Sequence, residues 1–246
     1  MISGASGFLG NHLTGYLRKY FDSIYIIPGR KIESTLLDNP SNSDNIAFFI
    51  HLAEPSLRTE YDNSTTLSLE KNVKILSKIF GPKLIYFSTA LVYGDYSRIP
   101  YTEKSEVKAN DAYTDLKLIN ERTVLDRGGI VIRLSNMIGS GMNAHNVFGD
   151  IHKQLILGRH DLFVRNIKPV RDYISVEDVC KFVKVALDSG LKNNQIYNIG
   201  SGQGKSVEDI IDFMSLRFNH QFENIIETQK TDNFLCNILN IKKSFH

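Results

Sequence analysis

Tyr113 and Lys117, in the segment AYTDLK, are the residues whose types and spacing most clearly point to chemistry. Side chains four positions apart lie on one face of a helix, so the phenol and the ammonium would be neighbours. A nearby positive charge favours a phenolate, and a tyrosine in that setting can exchange a proton with a sugar hydroxyl near neutral pH. The alternative is an exposed pair on an ordinary helix.

Two hydroxyl side chains, Ser88 and Thr89, end the apolar stretch KLIYFST, whose first six residues are predicted to form a buried strand. Sites of open α/β sheets gather at the carboxyl ends of the strands. A hydroxyl there could share with Tyr113 the hydrogen bond to a reacting oxygen. The alternative is that both hydroxyls only cap the strand end.

The opening segment GASGFLG has the spacing of a phosphate-binding turn at Gly4, Gly7 and Gly10. Glycines between a strand and a helix let the backbone approach a pyrophosphate, and the helix N-terminus supplies free N–H groups. Such a turn normally follows a buried strand, yet only three residues precede it. We therefore expect a truncated strand, so that either the native start lies upstream or the site is weakened at its base.

Hydrophobic periodicity predicts the elements that position these residues. Helices are predicted over about 8–20, 32–37, 66–80, 112–126, 147–157, 176–188 and 207–218, with apolar strands between most of them. In the helix over 66–80 we expect Leu67, Val73, Leu76 and Ile79 to face inward. Alternating strands and helices predict an α/β fold with a doubly wound, Rossmann-like parallel sheet and a small C-terminal substrate lobe.

This organisation predicts a dinucleotide-binding domain over residues 1–138, with contributions from about 169–200, and mainly a substrate-binding lobe over 139–246. The chain has 246 residues, 42% of them hydrophobic and 23% charged, which is an ordinary globular composition. The net charge is +2, with 29 basic and 27 acidic residues and no long run of one sign, so we expect no nucleic-acid partner.

Other bulk features limit the remaining classes. No apolar run approaches the roughly 18 residues of a membrane span, and the first residues lack the pattern of a signal peptide. Cys180 and Cys236 stand far apart in apolar settings, which favours free buried thiols and a cytoplasmic location. His51 ends an apolar strand and is expected to be structural or close to a cofactor. His145, His152 and His160 are spaced too widely for one helical face, and no Cys or acidic partner completes a metal set, so we expect no metal.

Taken in order, these features resemble the extended short-chain dehydrogenase/reductases, and the whole resembles the NAD-dependent epimerase/dehydratase family of nucleotide-sugar enzymes. GASGFLG is similar to the family's glycine fingerprint, STALVYG to its Ser/Thr stretch and YTDLK to its catalytic pair. Further similar segments, which extend the resemblance over nearly the whole chain, are IHLAEPS, the pair Asn72 and Val73, RLSN, RDYISVEDV and YNIGSG.

The resemblance implies a set of site residues. The implied catalytic residues are Thr89, Tyr113 and Lys117. The implied cofactor-binding residues are Gly4, Ser6, Gly7, Phe8, Leu9, Gly10, Leu52, Ala53, Asn72, Ser88, Tyr113 and Lys117. The implied substrate-binding residues are Thr89, Asn136 and Arg171, which would hold a nucleotide-diphosphate sugar. Relatives often dimerise through the helices that correspond to 66–80 and 112–126, so we expect a homodimer.

Family knowledge also implies roles for the catalytic residues. A hydride passes between the nicotinamide C4 and a sugar carbon, while Tyr113 would donate or remove the hydroxyl proton. Lys117 would hold the ribose, and Thr89 would orient the oxygen. The family's 4,6-dehydratases follow the catalytic Thr with Asp and Glu, whereas Ala90 and Leu91 follow Thr89 here. Neither side chain can move a proton, so we expect no dehydration.

The segment YIIPGRK bears on the cofactor. NAD-preferring members end their second strand in an acidic residue that binds the ribose 2′-OH, but Pro28 and Gly29 stand there, followed by Arg30 and Lys31. Cations suit a 2′-phosphate, so NADP(H) is favoured and NAD(H) remains possible. The alternative is an exposed Arg and Lys on a loop. The short interval from Arg30 to Ala47 also resembles that of some reductive, NADPH-using members.

These departures favour an NADPH-dependent reduction of a 4-keto-6-deoxy nucleotide sugar. The first alternative is a nucleotide-sugar C4 epimerase, which oxidises and re-reduces one sugar without net use of cofactor. The second alternative is a cofactor-binding regulator of the same fold that has lost catalysis.

Overall fold

The computed structural model describes residues 1–29, 32–38, 45–94, 97, 99–229 and 236–239. Arg30 and Lys31, the predicted partners of a 2′-phosphate, lie outside the described residues. The described strands are β1 (Ile2–Ser3), β2 (Ile26–Ile27), β3 (Phe49–His51), β4 (Leu84–Thr89), β5 (Ile130–Leu134), β6 (Asn136–Ile138), β7 (Asp161–Val164), β8 (Val170–Ser175), β9 (Gln195–Ile199), β10 (Gly204–Ser206), β11 (Asn224–Glu227) and β12 (Cys236–Asn237). The described α-helices are α1 (Phe8–Leu17), α2 (Ile32–Asp38), α3 (Asn63–Phe80), α4 (Ala112–Leu125), α5 (Val147–Ile156), α6 (Val176–Ser189) and α7 (Val207–Phe218).

The central sheet is parallel, with the strand order β2-β1-β3-β4-β5-β9. β1 lies between β2 and β3, where Ile2 pairs with Ile26 on one side and Ile50 on the other. The strand before the glycine turn is therefore short, as expected. The predicted α/β fold with a doubly wound, Rossmann-like sheet is confirmed.

Helices cover both faces of this sheet because its strands are apolar on both sides. Alternate residues of β4 show this directly, since Ile85 and Phe87 pack in one core cluster and Leu84 and Tyr86 in the other. The first cluster includes residues of α1 and α6, and the second includes residues of α2, α3 and α4. The two layers bring the start of α1 and the start of α4 to the carboxyl edge of the sheet.

The remaining strands form smaller sheets. β8 pairs with β6, β10 and β12, and β7 pairs with β11. A further core cluster unites α5, β7 and α7 around Ile151, Leu162 and Met214, all of them inaccessible. Sequence periodicity missed β6, β7 and β10 to β12 because strands of two to four residues are too short to show an alternating pattern.

The structure corrects one predicted face. In α3, Val73 and Leu76 are fully buried as expected, but Leu67 is 67% exposed and Ile79 is 37% exposed. The helix begins three residues earlier than predicted because the Asp62 carboxylate accepts a hydrogen bond from the Thr65 backbone N–H at 2.7 Å. An apolar residue on a helix is thus not necessarily directed into the core of its own chain.

Candidate active site

The turn between β1 and α1 depends on glycine at two positions. Gly4 has a φ of +77°, and a Cβ built on it would lie 2.5 Å from the backbone carbonyl carbon of Leu52. A Cβ on Gly10 would lie 2.0 Å from the carbonyl oxygen of Gly4. No side chain fits at these distances, so the turn packs directly against the segment Leu52–Ala53 that follows β3.

The start of α1 is suited to an anion. Ser6 and Gly7 are exposed, the first turn carries no acidic residue, and the N-cap residue Gly7 makes no side-chain capping bond. Free backbone N–H groups and the positive end of the helix dipole favour phosphate at such a place. The predicted cofactor residues from Gly4 to Gly10, together with Leu52 and Ala53, therefore lie in one region that fits a diphosphate.

Tyr113 and Lys117 are positioned by the start of α4. The Asp111 carboxylate caps the helix, accepting a hydrogen bond from the Thr114 N–H at 2.8 Å, so that Tyr113 lies in the first turn. The half-buried Tyr113 ring packs edge-on against Tyr61, with 4.9 Å between the ring centroids. The Lys117 Nζ lies 5.7 Å from the centre of the Tyr113 ring. The structure brings the predicted pair together.

Lys117 is buried, and its ammonium has partners that the sequence did not predict. Its Nζ lies 2.6 Å from the Glu54 Oε2 and donates a hydrogen bond to the Phe87 carbonyl at 2.7 Å. Burial is the largest cause and disfavours the charged amine, but Glu54, with smaller contributions from Tyr113 and Glu121, outweighs it, so the pKa of Lys117 is raised above its ordinary value. Lys117 is therefore held protonated.

Glu54 lies three residues beyond the end of β3, after Leu52 and Ala53, and is held by neutral groups as well. Its Oε1 accepts hydrogen bonds from the Tyr86 hydroxyl at 2.8 Å and from the Asn120 Nδ2 at 3.4 Å. Burial is the largest cause and favours the neutral acid, but the Lys117 charge, with smaller contributions from His51 and the Tyr86 hydrogen bond, outweighs it and lowers the pKa of Glu54. The available sequence signal was a carboxylate immediately after a predicted strand, at the edge where sites gather.

Ser88 and Thr89 end β4, as predicted, and both are buried. The Thr89 Oγ1 accepts a hydrogen bond from the Leu91 N–H at 3.2 Å, so the hydroxyl caps the short 3₁₀ turn that follows. The Ser88 hydroxyl donates to the Glu121 Oε1 at 2.5 Å. The catalytic role of Thr89 and the cofactor contact of Ser88 remain predictions.

A second buried ion pair supports this part of the site. The Arg133 Nη2 lies 2.6 Å from the Glu121 Oε2, and both side chains are only 4% exposed. The Arg133 Nη1 also donates to the Tyr93 hydroxyl at 2.9 Å, which in turn donates to Asn198. This chain of contacts ties α4 to β5, the turn after β4 and β9.

The predicted substrate residues lie on neighbouring strands. Asn136 begins β6 and pairs in register with Tyr173 of β8, two residues beyond Arg171. Asn136 is exposed and Arg171 half-buried. Asn72, predicted on the cofactor side, is half-buried in α3. The geometry is compatible with Asn136 and Arg171 acting on one ligand, and their binding roles remain predictions, as does that of Asn72.

His51 ends β3 as a structural residue. It is 1% exposed, and its Nδ1 lies 2.7 Å from the Ser3 Oγ. Burial is the largest cause that lowers the pKa of His51 to about 4. The Glu54 carboxylate raises this pKa, and the Lys117 charge lowers it further. An unfolded histidine titrates near 6.5, so the unfolded chain gains this proton first as the pH falls.

Acid should therefore destabilise the protein through His51. Stability is lost as the pH falls from about 6.5 to about 4. Between pH 7 and 4.5 we expect protonation of His51 to lower the free energy of unfolding by about 2 kcal/mol. Urea unfolding of wild type and His51→Asn at both pH values measures the effect. The drop in the free energy of unfolding should be smaller in the variant by about that amount. An equal loss in the two proteins would contradict the assignment.

Three further observations bear on the class of protein. Both cysteines, Cys180 and Cys236, are free and buried, as predicted. Within the described ranges, no helix combines the length and apolar character needed to cross a membrane. In the same part of the chain, no three His, Cys, Asp or Glu side chains are grouped so as to hold a metal ion.

Known proteins are similar to this chain along most of its length. A GDP-6-deoxy-D-talose 4-dehydrogenase of Aggregatibacter actinomycetemcomitans is 27% identical, over 91% of this chain and 81% of its own. A GDP-6-deoxy-D-mannose reductase of Pseudomonas aeruginosa is 26% identical, over 87% and 78% of the two chains.

Solved structures share the fold. The structure of RMD from Pseudomonas aeruginosa complexed with NADPH has a TM-score of 0.78 and 22% identity, covering 95% of this chain and 86% of that one. A UDP-glucose 4-epimerase of Thermotoga maritima, solved with UDP-glucose, has a TM-score of 0.83 and 18% identity, covering 99% and 90%. The profile of the NAD dependent epimerase/dehydratase family matches residues 1–200, and this chain belongs to that family.

Proposed function

We propose that this protein catalyses the NADPH-dependent reduction of a 4-keto-6-deoxy nucleotide sugar to the corresponding alcohol. The observation that carries the proposal is the placement of Tyr113 beside the buried, charged Lys117 on α4. Both lie at the edge of the sheet that also holds the glycine turn. Relatives named as a 6-deoxy sugar dehydrogenase and a 6-deoxy sugar reductase support the choice of substrate class.

The chain's own residues would bind, orient and protonate the sugar. When bound, the nicotinamide cofactor supplies the hydride. Tyr113 donates its hydroxyl proton to the oxygen of the keto group, so that the carbonyl becomes an alcohol. Lys117 keeps a positive charge beside that phenol, which stabilises the phenolate left behind. Thr89 orients the same oxygen.

The two residues after Thr89 cannot take part in proton transfer. Ala90 is buried and Leu91 half-buried in the 3₁₀ turn after Thr89, and neither carries a group that can remove a proton from the sugar. This supports reduction over the elimination of water. Asn136 and Arg171 would hold the diphosphate of the nucleotide, with the segment over 139–246 forming most of the substrate lobe.

The preference for NADP(H) rests on the sequence after β2. Pro28 and Gly29 occupy the position of the acid that would bind a ribose 2′-OH, and a Cβ on Gly29 would lie 2.6 Å from the Ala53 Cβ. The loop therefore leaves this strand beside the glycine turn, and the cations Arg30 and Lys31 follow directly in the chain. Proteins of this fold have been solved with NAD and with NADPH, so NAD(H) remains the alternative.

The proposed reaction consumes cofactor, and absorbance at 340 nm measures that consumption. Purified protein incubated with NADPH and a 4-keto-6-deoxy nucleotide sugar should oxidise one NADPH for each sugar reduced. Omitting the sugar is the control. Unchanged NADPH together with inversion at C4 of a nucleotide sugar would reject the reductase and support the epimerase.

The C4 epimerase is the second candidate because a UDP-glucose 4-epimerase shares the fold over nearly the whole chain. A non-catalytic regulator is the third, and the presence of Thr89, Tyr113 and Lys117 argues against it. We also propose a homodimer through α3 and α4. The exposed apolar side chains Leu67 and Ile79 of α3 support that interface.

A further inference from the structure

We propose that Glu54 is a positioning residue of this site, whose carboxylate holds the Lys117 ammonium in place beside Tyr113 and keeps it charged. The role of Glu54 in catalysis rests on the proposed function. The ion pair itself rests on geometry alone, since 2.6 Å separates the Lys117 Nζ and the Glu54 Oε2 and the two side chains are only 8% and 7% exposed.

The surroundings of Lys117 leave Glu54 as its main counter-charge. The titratable groups around Lys117 come from three parts of the fold. They are His51 and Glu54 of β3 and the loop after it, Tyr86 of β4, and Tyr113 and Glu121 of α4. His51 is neutral above about pH 4, and the Glu121 carboxylate pairs with Arg133 at 2.6 Å. Burial raises the pKa of Tyr86 well above its usual range, so its hydroxyl stays neutral.

The neutral neighbours of Glu54 fix its direction. The Tyr86 hydroxyl and the Asn120 amide donate to one carboxylate oxygen, and the other oxygen faces Lys117. The Phe87 carbonyl accepts a hydrogen bond from the ammonium, in addition to its ion pair with Glu54. Lys117 is thus held by a carboxylate from the loop after β3 and a backbone oxygen of β4, while its helix presents Tyr113 one turn earlier.

Loss of the carboxylate should change the protonation of Lys117. Glu54→Gln keeps the size and one acceptor oxygen for Tyr86 and Asn120, but it leaves a buried ammonium without its counter-ion. A buried lysine without a partner releases its proton at a lower pH than an unfolded one. The folded variant would therefore bind fewer protons than its unfolded chain at alkaline pH, and raising the pH would favour its folded state.

The decisive experiment needs no substrate. Equilibrium unfolding of wild type and Glu54→Gln is measured at pH 7 and pH 9.5. The variant should be less stable at pH 7, and the ratio of its unfolding constant to that of wild type should fall by about tenfold by pH 9.5. The matched control is Tyr86→Phe, which removes a hydrogen bond to the same carboxylate without removing charge. The ratio of the unfolding constant of Tyr86→Phe to that of wild type should change by less than about twofold between pH 7 and 9.5.

A double variant keeps the test decisive if Glu54→Gln does not fold at pH 7. Adding Lys117→Met removes the unpaired charge, so the double variant should regain stability and lose the pH dependence. A pH-independent deficit in Glu54→Gln, an equal effect of Tyr86→Phe, or a double variant no better than the single one would overturn the proposal. Each would show that Glu54 acts through packing.

A kinetic measurement links the ion pair to the reaction. With a sugar that wild type reduces, the alkaline limb of kcat/KM against pH should move down by about one unit in Glu54→Gln and stay in place in Tyr86→Phe. An unmoved limb in Glu54→Gln would overturn the positioning role. If wild type reduces none of the sugars, the proposed function fails, while the unfolding comparison still decides the Glu54–Lys117 assignment.

Discussion

Replacement of Tyr113 by phenylalanine is expected to lower kcat for sugar reduction by about 10²–10⁴-fold, the usual contribution of a positioned proton donor. The phenyl ring retains its packing against Tyr61, so the fold and the helix should persist. The substrate oxygen would then lack the group that protonates it as the carbonyl is reduced. Single-turnover oxidation of NADPH at 340 nm measures the chemical step directly.

Tyr61→Phe is the matched control for this experiment. The Tyr61 ring packs against Tyr113, but its hydroxyl donates to the Pro55 carbonyl at 2.9 Å. Removing that hydroxyl should change kcat by less than about tenfold, because the loss of one such hydrogen bond amounts to about 1 kcal/mol. If Tyr113→Phe turned over an identified sugar as fast as wild type, the assignment of Tyr113 as the proton donor would be wrong.

Replacement of Gly10 by alanine should weaken the binding of NADPH. The new Cβ would lie 2.0 Å from the Gly4 carbonyl oxygen and 2.8 Å from the Ala5 Cα, so the backbone of the turn must move. Loss of one hydrogen bond to a charged phosphate costs about 1.5–3 kcal/mol, which predicts an affinity for NADPH at least about tenfold weaker. Fluorescence titration with NADPH measures it.

The matched control lies on the same helix. A Cβ on Gly15 would meet nothing within 4 Å, so Gly15→Ala should bind NADPH as wild type does. It should also be more stable by about 1 kcal/mol, because alanine favours a helix interior over glycine. Equal affinity of Gly10→Ala and Gly15→Ala for NADPH would contradict the account of the turn.

The predictable part of the site consists of residues with a local signature. Tyr113 and Lys117 are four positions apart in one helix, and Gly4, Gly7 and Gly10 lie close together in the chain, so their spacing and the order of the motifs together could predict them. The start of α7 also has a local signature, because Ser206 and Asp209 form a capping box there. The order of strands and helices then sufficed for the class of fold.

The rest depends on contacts between distant segments. Glu54 meets Lys117 across 63 positions of the chain, and Arg133 meets Glu121 from a different element. No periodicity relates such residues, because pairing in a parallel sheet joins segments that are remote in sequence. Leu67 and Ile79 show the converse, since both are apolar residues of one helix, but their spacing cannot say what covers them.

Transfer of deuterium shows whether this protein passes a hydride from NADPH to the sugar. The protein is incubated with a 4-keto-6-deoxy nucleotide sugar and NADPH that carries deuterium on the transferable C4 position, and the product is analysed by mass spectrometry and NMR. We expect one deuterium at C4 of the product sugar, with matching oxidation of the cofactor, and loss of this transfer in Tyr113→Phe. Sugar product formed without deuterium at C4 would contradict it.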